Sequence, residues 1–190
     1  MPILPPEIDI FPSDFLERAE SLTQAGALWT VFYTLSRREK DLARKLLLAK
    51  IPFYAPLVAR QNRSPSGRVR QSMVPLFPGY VFAACTPDER RMAMETNTIS
   101  KTIAVVEWEP LIADLRSLRR LLETGHTVTS EPRFESGDAV RIRSGSMQGI
   151  EGEVVHRSGK DRLVLTVRFL NQGVSVELAD LDVEQIESNL

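Results

Sequence analysis

The stretch that most constrains the fold is Pro75-Leu76-Phe77-Pro78-Gly79-Tyr80-Val81-Phe82, where a proline-glycine turn leads directly into an aromatic strand. The side chains of a strand alternate between two faces. One face therefore carries Tyr80, Phe82 and Ala84, and the other carries Val81, Ala83 and Cys85. Both faces are apolar, although a strand that packs on helices needs only one. The second face is either plain core, covered by another element, or a surface offered to a partner.

The composition excludes several classes of protein. A chain of 190 residues with 43% hydrophobic side chains is long enough to bury a core in one large or two small domains. No apolar run approaches the roughly 20 residues that span a bilayer, and the N-terminus lacks a signal-peptide pattern. We therefore expect a soluble, cytoplasmic protein without membrane contact.

Catalytic and metal chemistry are not expected either. A single cysteine, Cys85, excludes an intrachain disulfide, and with only two histidines it makes a poor set of metal ligands. The sequence shows no nucleophile and base pair and no phosphate-binding glycine loop. We predict that the protein is not an enzyme and needs no cofactor.

Basic charge is concentrated in one segment. Residues 28–75 carry ten basic and two acidic side chains, although the whole chain has a net charge of −1. Such a block indicates either a surface for a polyanion, with nucleic acid the first candidate, or simply a solvated helix followed by a basic loop.

The first two thirds of the chain alternate strand and helix patterns. Residues 1–27 are predicted to be an extension with a short helix, and residues 28–125 an α/β domain. Capping-box spacing predicts helix starts at Ser36 to Glu39 and at Thr86 to Glu89. The order β-α-β-β-α-β-α indicates a ferredoxin-like α/β sandwich, so the fold class is α+β.

The last third is predicted to be all β. Residues 126–135 lose both periodicities and are predicted to be a linker, and residues 136–190 contain five short strands, enough for a small barrel. Between residues 137 and 154, apolar residues alternate with polar ones and glycines recur where the chain must turn. Glycines permit such tight turns. The members of this pattern are Gly137, Asp138, Val140, Ile142, Gly149, Gly152 and Val154.

Two separate motifs resemble one family. Pro75 to Phe82 resembles the Pro-Gly-Tyr signature of the NusG family of transcription elongation factors, and residues 137–154 resemble a KOW motif. The resemblance covers roughly residues 28–187 and includes both family domains in order. It implies a ferredoxin-like NusG N-terminal domain joined by the linker to an SH3-like five-stranded KOW barrel.

The resemblance also implies partners. The N-terminal domain is expected to bind the clamp helices of RNA polymerase, through Tyr33, Phe77, Pro78, Tyr80 and Phe82. Non-template or upstream DNA is expected to meet Arg37, Arg38, Arg63, Arg68 and Arg70. The KOW domain is expected to recruit a ribosomal protein or a termination factor. Such a factor suppresses pausing or termination and works as a monomer.

Some alternatives stay open. A KOW-containing RNA-binding or ribosome-associated protein would share the second motif, but residues 136–190 carry more acidic than basic side chains, which disfavours ribosomal RNA. The protein is either the general factor or a specialised paralogue of the RfaH, UpxY or LoaP kind. For the C-terminal domain we expect strands rather than a helical hairpin, because residues 163–178 are rich in valine and threonine.

Overall fold

The computed structural model describes residues 7–63, 69–131, 138–157, 160–178 and 183–186. Its helices are α1 (Ala19–Gln24), α2 (Glu39–Leu48), α3 (Pro87–Met94) and α4 (Trp108–Glu123). Its strands are β1 (Ile10–Phe11), β2 (Leu28–Thr34), β3 (Phe53–Tyr54), β4 (Leu57–Arg63), β5 (Val69–Pro75), β6 (Tyr80–Cys85), β7 (Ile99–Ala104), β8 (Val128–Glu131), β9 (Asp138–Ile142), β10 (Glu151–Arg157), β11 (Lys160–Val167), β12 (Gln172–Glu177) and β13 (Val183–Gln185). In these ranges, every helix is too short or too polar to span a bilayer.

Contacts divide the chain into two units, residues 1–108 and 109–190. The first unit holds an antiparallel sheet in the order β1-β3-β6-β2-β7. Without β1, the remaining order β3-β6-β2-β7 is that of a ferredoxin-like sheet. Helices α2 and α3 pack on one face of this sheet. The predicted mixed α/β architecture is confirmed for this unit.

The N-terminal extension is part of this sheet. Strand β1 pairs with β3, with Ile10 opposite Tyr54, and residues 1–6 lie outside the described residues. Helix α1 starts at Ala19, and its N-cap, Arg18, makes no side-chain capping bond. Sequence patterns did not indicate β1, because two residues are too few to show a period.

Strands β4 and β5 form a separate two-stranded ribbon. The segment that the sequence analysis treated as a basic loop thus consists largely of two paired strands. Residues 64–68, which include Arg68, lie outside the described residues.

The second unit contains α4 and a sheet in the order β13-β9-β10-β11-β12-β8. The prediction of strands is confirmed, but in the described ranges the sheet keeps two edges and does not close into a barrel. Five strands were predicted, and the sixth is β8, which lies in the predicted linker. The linker prediction is wrong for residues 128–131, because Val128 to Glu131 pair along the edge of β12. Residues 132–137, including Gly137, lie outside the described part.

Candidate functional site

The central strand β6 buries one face against helices. Val81, Ala83 and Cys85 belong to the core cluster that includes Leu42 and Leu46 of α2. On the opposite face Phe82 is 0% exposed, whereas Tyr80 at the start of the strand is half-buried. The aromatic face is therefore covered along most of its length and open at the Tyr80 end.

The N-terminal extension provides cover at the far end of that face. The Phe15 ring packs on Trp29 of β2 with centroids 5.1 Å apart, and Phe15 and Leu16 are fully buried. The Trp29 indole N–H donates to the Thr23 hydroxyl at 2.9 Å. The extension is thus a packed layer on the sheet.

Two residues that were expected to contact a partner are buried. Phe77 is 1% and Phe82 0% exposed, and their rings meet edge-on with centroids 6.4 Å apart. Alternation along the strand identified the correct face but could not show what covers it. In this conformation Phe77 and Phe82 can support a contact surface and cannot themselves touch a partner.

The Pro78-Gly79 turn lies directly against Tyr33. Gly79 has φ +89°, and a Cβ built there would lie 3.0 Å from Cε2 of Tyr33, so the turn requires glycine. The Thr34 amide donates to the Gly79 carbonyl at 2.8 Å. Pro78 is exposed at the surface of the turn.

A buried carboxylate holds the other side of the same turn. Glu39 is 6% exposed, and its Oε1 accepts a hydrogen bond from the Gly79 amide at 2.7 Å. The capping box predicted from Ser36 to Glu39 is wrong, because α2 begins at Glu39 and its N-cap, Arg38, makes no side-chain capping bond. The long-range contact to Gly79 uses the carboxylate instead. By contrast, the box from Thr86 to Glu89 is confirmed.

Three side chains form a row across neighbouring strands, which we call the Tyr-Lys row: Tyr80, Tyr33 and Lys101. Tyr33 is in register with Tyr80 on one side and with Lys101 on the other. The two tyrosine rings are 5.2 Å apart in an edge contact, and the Lys101 ammonium lies 5.3 Å from the Tyr33 centroid. Both tyrosines are half-buried and Lys101 is exposed, so the row presents aromatic surface and one cation. Sequence reasoning missed Lys101, which lies between Ser100 and Thr102 in β7 and stands out in no sequence pattern.

The basic residues divide into three groups. Arg37 is exposed with φ 60°, and Arg38 is exposed but pairs with Asp41 at 3.2 Å. Arg63 and Arg70 lie on the β4–β5 ribbon, where Arg63 pairs with Val69 in the backbone register and Arg70 with Asn62. Arg68 falls outside the described residues.

The glycine pattern of the second unit has a geometric basis. Gly149 has φ +77°, and a Cβ on Gly152 would lie 2.6 Å from the Val164 carbonyl oxygen. The apolar members Val140 and Ile142 are buried, at 3% and 0% exposure. Of the other members, Val154 is half-buried, Asp138 is exposed and Gly137 lies outside the described ranges.

Metal ligands and the Cys85 thiol are the candidates for reactive chemistry among the described residues. The described ranges contain no group of three or more His, Cys, Asp or Glu side chains placed to hold a metal ion. Burial raises the pKa of the Cys85 thiol from its ordinary value of 9.0 to about 11, and a hydrogen bond with Thr30 opposes that shift. Cys85 is therefore a protonated core side chain at neutral pH.

A protein-family model matches part of this chain. Residues 27–119 match the family model NusG, described as transcription termination factor nusG. The match begins just before β2 and includes the Pro78-Gly79 turn, Glu39 and the Tyr-Lys row. A search of curated proteins found none that matches the chain.

Proposed function

We propose, on the premise that this chain belongs to the NusG family of transcription factors, that its N-terminal unit binds the clamp helices of RNA polymerase through the Tyr-Lys row. Members of the family are elongation and termination factors that bind RNA polymerase. Family membership therefore supports RNA polymerase as the partner. Which residues of this chain form the contact surface is what we propose.

The observation that carries the proposal is the open end of the aromatic face. Tyr33 and Tyr80 are the half-buried aromatics there, with Pro78 exposed beside them. Amphipathic aromatic side chains on a rigid support are frequent anchors of protein interfaces. Sheet register and the Pro78-Gly79 turn supply that support.

The basic segment suggests a second contact. Arg37 and Arg38 lie just before α2, and Arg63 and Arg70 lie on the β4–β5 ribbon, whereas Arg68 is outside the described residues. We propose that these arginines meet upstream or non-template DNA once the N-terminal unit is seated. Such phosphate contacts are sensitive to salt and weakly selective for sequence.

The mechanism needs only a difference in affinity. If the N-terminal unit binds the closed clamp better than the open clamp, it shifts the polymerase toward the closed state and suppresses pausing or termination. The second unit, which resembles a KOW domain in its glycines and strands, would recruit a ribosomal protein or termination factor at high effective concentration. We propose that the protein acts in this way as a monomeric antitermination or elongation factor.

Binding of the full chain to core RNA polymerase, and to an elongation complex assembled on a bubble scaffold, tests this proposal. Replacing Tyr33 or Tyr80 by alanine should weaken binding about thirtyfold or more, because truncation of a hot-spot tyrosine costs roughly 2 kcal/mol or more. Phe169→Ala is the matched control, since Phe169 is an aromatic with 38% exposure in the second unit. Thermal melting of each variant separates lost binding from lost folding. Normal polymerase binding by the folded tyrosine variants would refute the proposed surface.

A further inference from the structure

We propose that Glu39 is a positioning residue for the partner surface: its carboxylate fixes Gly79, and Gly79 in turn sets the orientation of Tyr33 and Tyr80. This inference rests on the proposed function, because it assigns the residue that keeps the Tyr-Lys row in its binding geometry.

The burial of Glu39 calls for a physical explanation. Among the described residues it is the one acidic side chain that is buried, at 6% exposure. Burying a carboxylate is costly unless hydrogen bonds compensate for the lost water. Glu39 gains a charge-assisted bond of 2.7 Å from the Gly79 amide, and its position in the first turn of α2 favours negative charge. The position of the carboxylate is therefore coupled to that of the turn.

Gly79 is held from two sides. Its N–H donates to Glu39, and its carbonyl accepts from the Thr34 amide at 2.8 Å. Thr34 belongs to β2 and Glu39 to α2, so two elements far from Gly79 in sequence hold the two successive peptide units that flank its Cα. Without Glu39 the bond to the Gly79 carbonyl, which belongs to the Gly79-Tyr80 peptide, remains, but the Pro78-Gly79 peptide loses the restraint on its N–H.

The orientation of this peptide matters because the Tyr33 ring rests on it. A Cβ at Gly79 would lie 3.0 Å from Tyr33 Cε2, which shows how closely the backbone approaches the ring. Tyr80 follows Gly79 directly in the chain and contacts the Tyr33 ring at 5.2 Å. A rotation of the Pro78-Gly79 peptide would therefore displace Tyr33 and Tyr80, the two aromatic members of the row.

Two variants separate positioning from general stability. Glu39→Ala removes the acceptor, whereas Glu39→Gln keeps an amide oxygen that can accept from Gly79 while removing the charge. Asp41→Ala is the control, since Asp41 lies on the same helix and bonds with Arg38 and Lys45. All three variants are measured below their melting temperatures.

The first measurement is NMR of the full chain labelled with ¹⁵N-glycine, which gives at most ten glycine amide signals. We expect hydrogen exchange at the Gly79 amide to accelerate at least about tenfold in Glu39→Ala, less in Glu39→Gln, and not in Asp41→Ala. The Tyr33 ring resonances should shift with the Gly79 signal. An unchanged Gly79 amide in Glu39→Ala would overturn the proposal.

The second measurement is polymerase binding by the same proteins. We expect Glu39→Ala to lose about tenfold in affinity, Glu39→Gln to recover most of it, and Asp41→Ala to bind like the unmodified chain. Full affinity in Glu39→Ala, when Tyr33→Ala weakens binding, would also overturn the proposal. If the unmodified chain does not bind polymerase at all, the proposed function fails. The Gly79 and Tyr33 signals then still decide whether Glu39 positions the row.

Discussion

Replacing Phe15 by alanine should strongly destabilise the first unit. Phe15 is 0% exposed, and its ring packs 5.1 Å from that of Trp29. Truncation of a buried phenylalanine costs about 3–5 kcal/mol, because the transfer free energy is lost and a cavity remains. Since domains are typically stable by about 5–15 kcal/mol, this is a large share of the free energy of unfolding.

Tryptophan fluorescence makes the assay specific to this unit. The chain has two tryptophans, Trp29 and Trp108, whose rings stack with centroids 6.1 Å apart, and both belong to the first unit. Urea unfolding followed by fluorescence should show the lower midpoint of Phe15→Ala. The control is Leu28→Ala, because Leu28 is 58% exposed and its loss should change the free energy of unfolding by no more than about 0.5 kcal/mol.

A small effect would refute the reasoning. If Phe15→Ala lowers the free energy of unfolding by less than about 1 kcal/mol, the residue is not a core side chain. The N-terminal extension would then not be a layer of the domain, and the far end of the aromatic face would be open to a partner.

Three further predictions concern other parts of the chain. Thr86→Ala should cost about 1 kcal/mol in urea unfolding, because the Thr86 hydroxyl accepts from the Glu89 amide at 3.3 Å and caps α3. Gly152→Ala should lower the melting temperature of the β signal in circular dichroism, because its Cβ would lie 2.6 Å from the Val164 carbonyl oxygen; an unchanged melt would contradict that close approach. The Cys85 thiol should react slowly with a disulfide reagent at pH 8 in the folded chain and fast in urea, because burial raises its pKa to about 11. The folded state holds that proton more tightly, so this contribution to stability should be full below pH 9.0 and decline up to about 11.

Local periodicity predicted the elements that depend on neighbouring residues. Alternation from Tyr80 identified the central strand, β6, which pairs with β2 and β3. The Thr86 to Glu89 capping box is formed as expected, since all its atoms lie within one turn. Val140 and Ile142 belong to the alternating apolar pattern of the second unit, and both are buried as that pattern predicts.

Features that depend on distant residues could not be predicted in this way. Glu39 satisfies the local pattern of a capping box, yet its carboxylate bonds to Gly79, which lies 40 residues away. Burial of Phe77 depends on its packing against Phe82, which periodicity along one strand does not reveal. Val128 to Glu131 have no strong strand pattern and form β8 because the edge of β12 offers backbone partners.

Site-specific photocrosslinking from the Tyr-Lys row to an elongation complex tests the central claim most directly. A photoreactive phenylalanine analogue would replace Tyr80 in one chain and, as a control, Met92 in another, since Met92 is an exposed apolar side chain on α3 with 46% exposure. The account predicts a crosslink from position 80 to the clamp helices of the polymerase and none to those helices from position 92. Crosslinks to the clamp helices from position 92 and none from position 80 would contradict it.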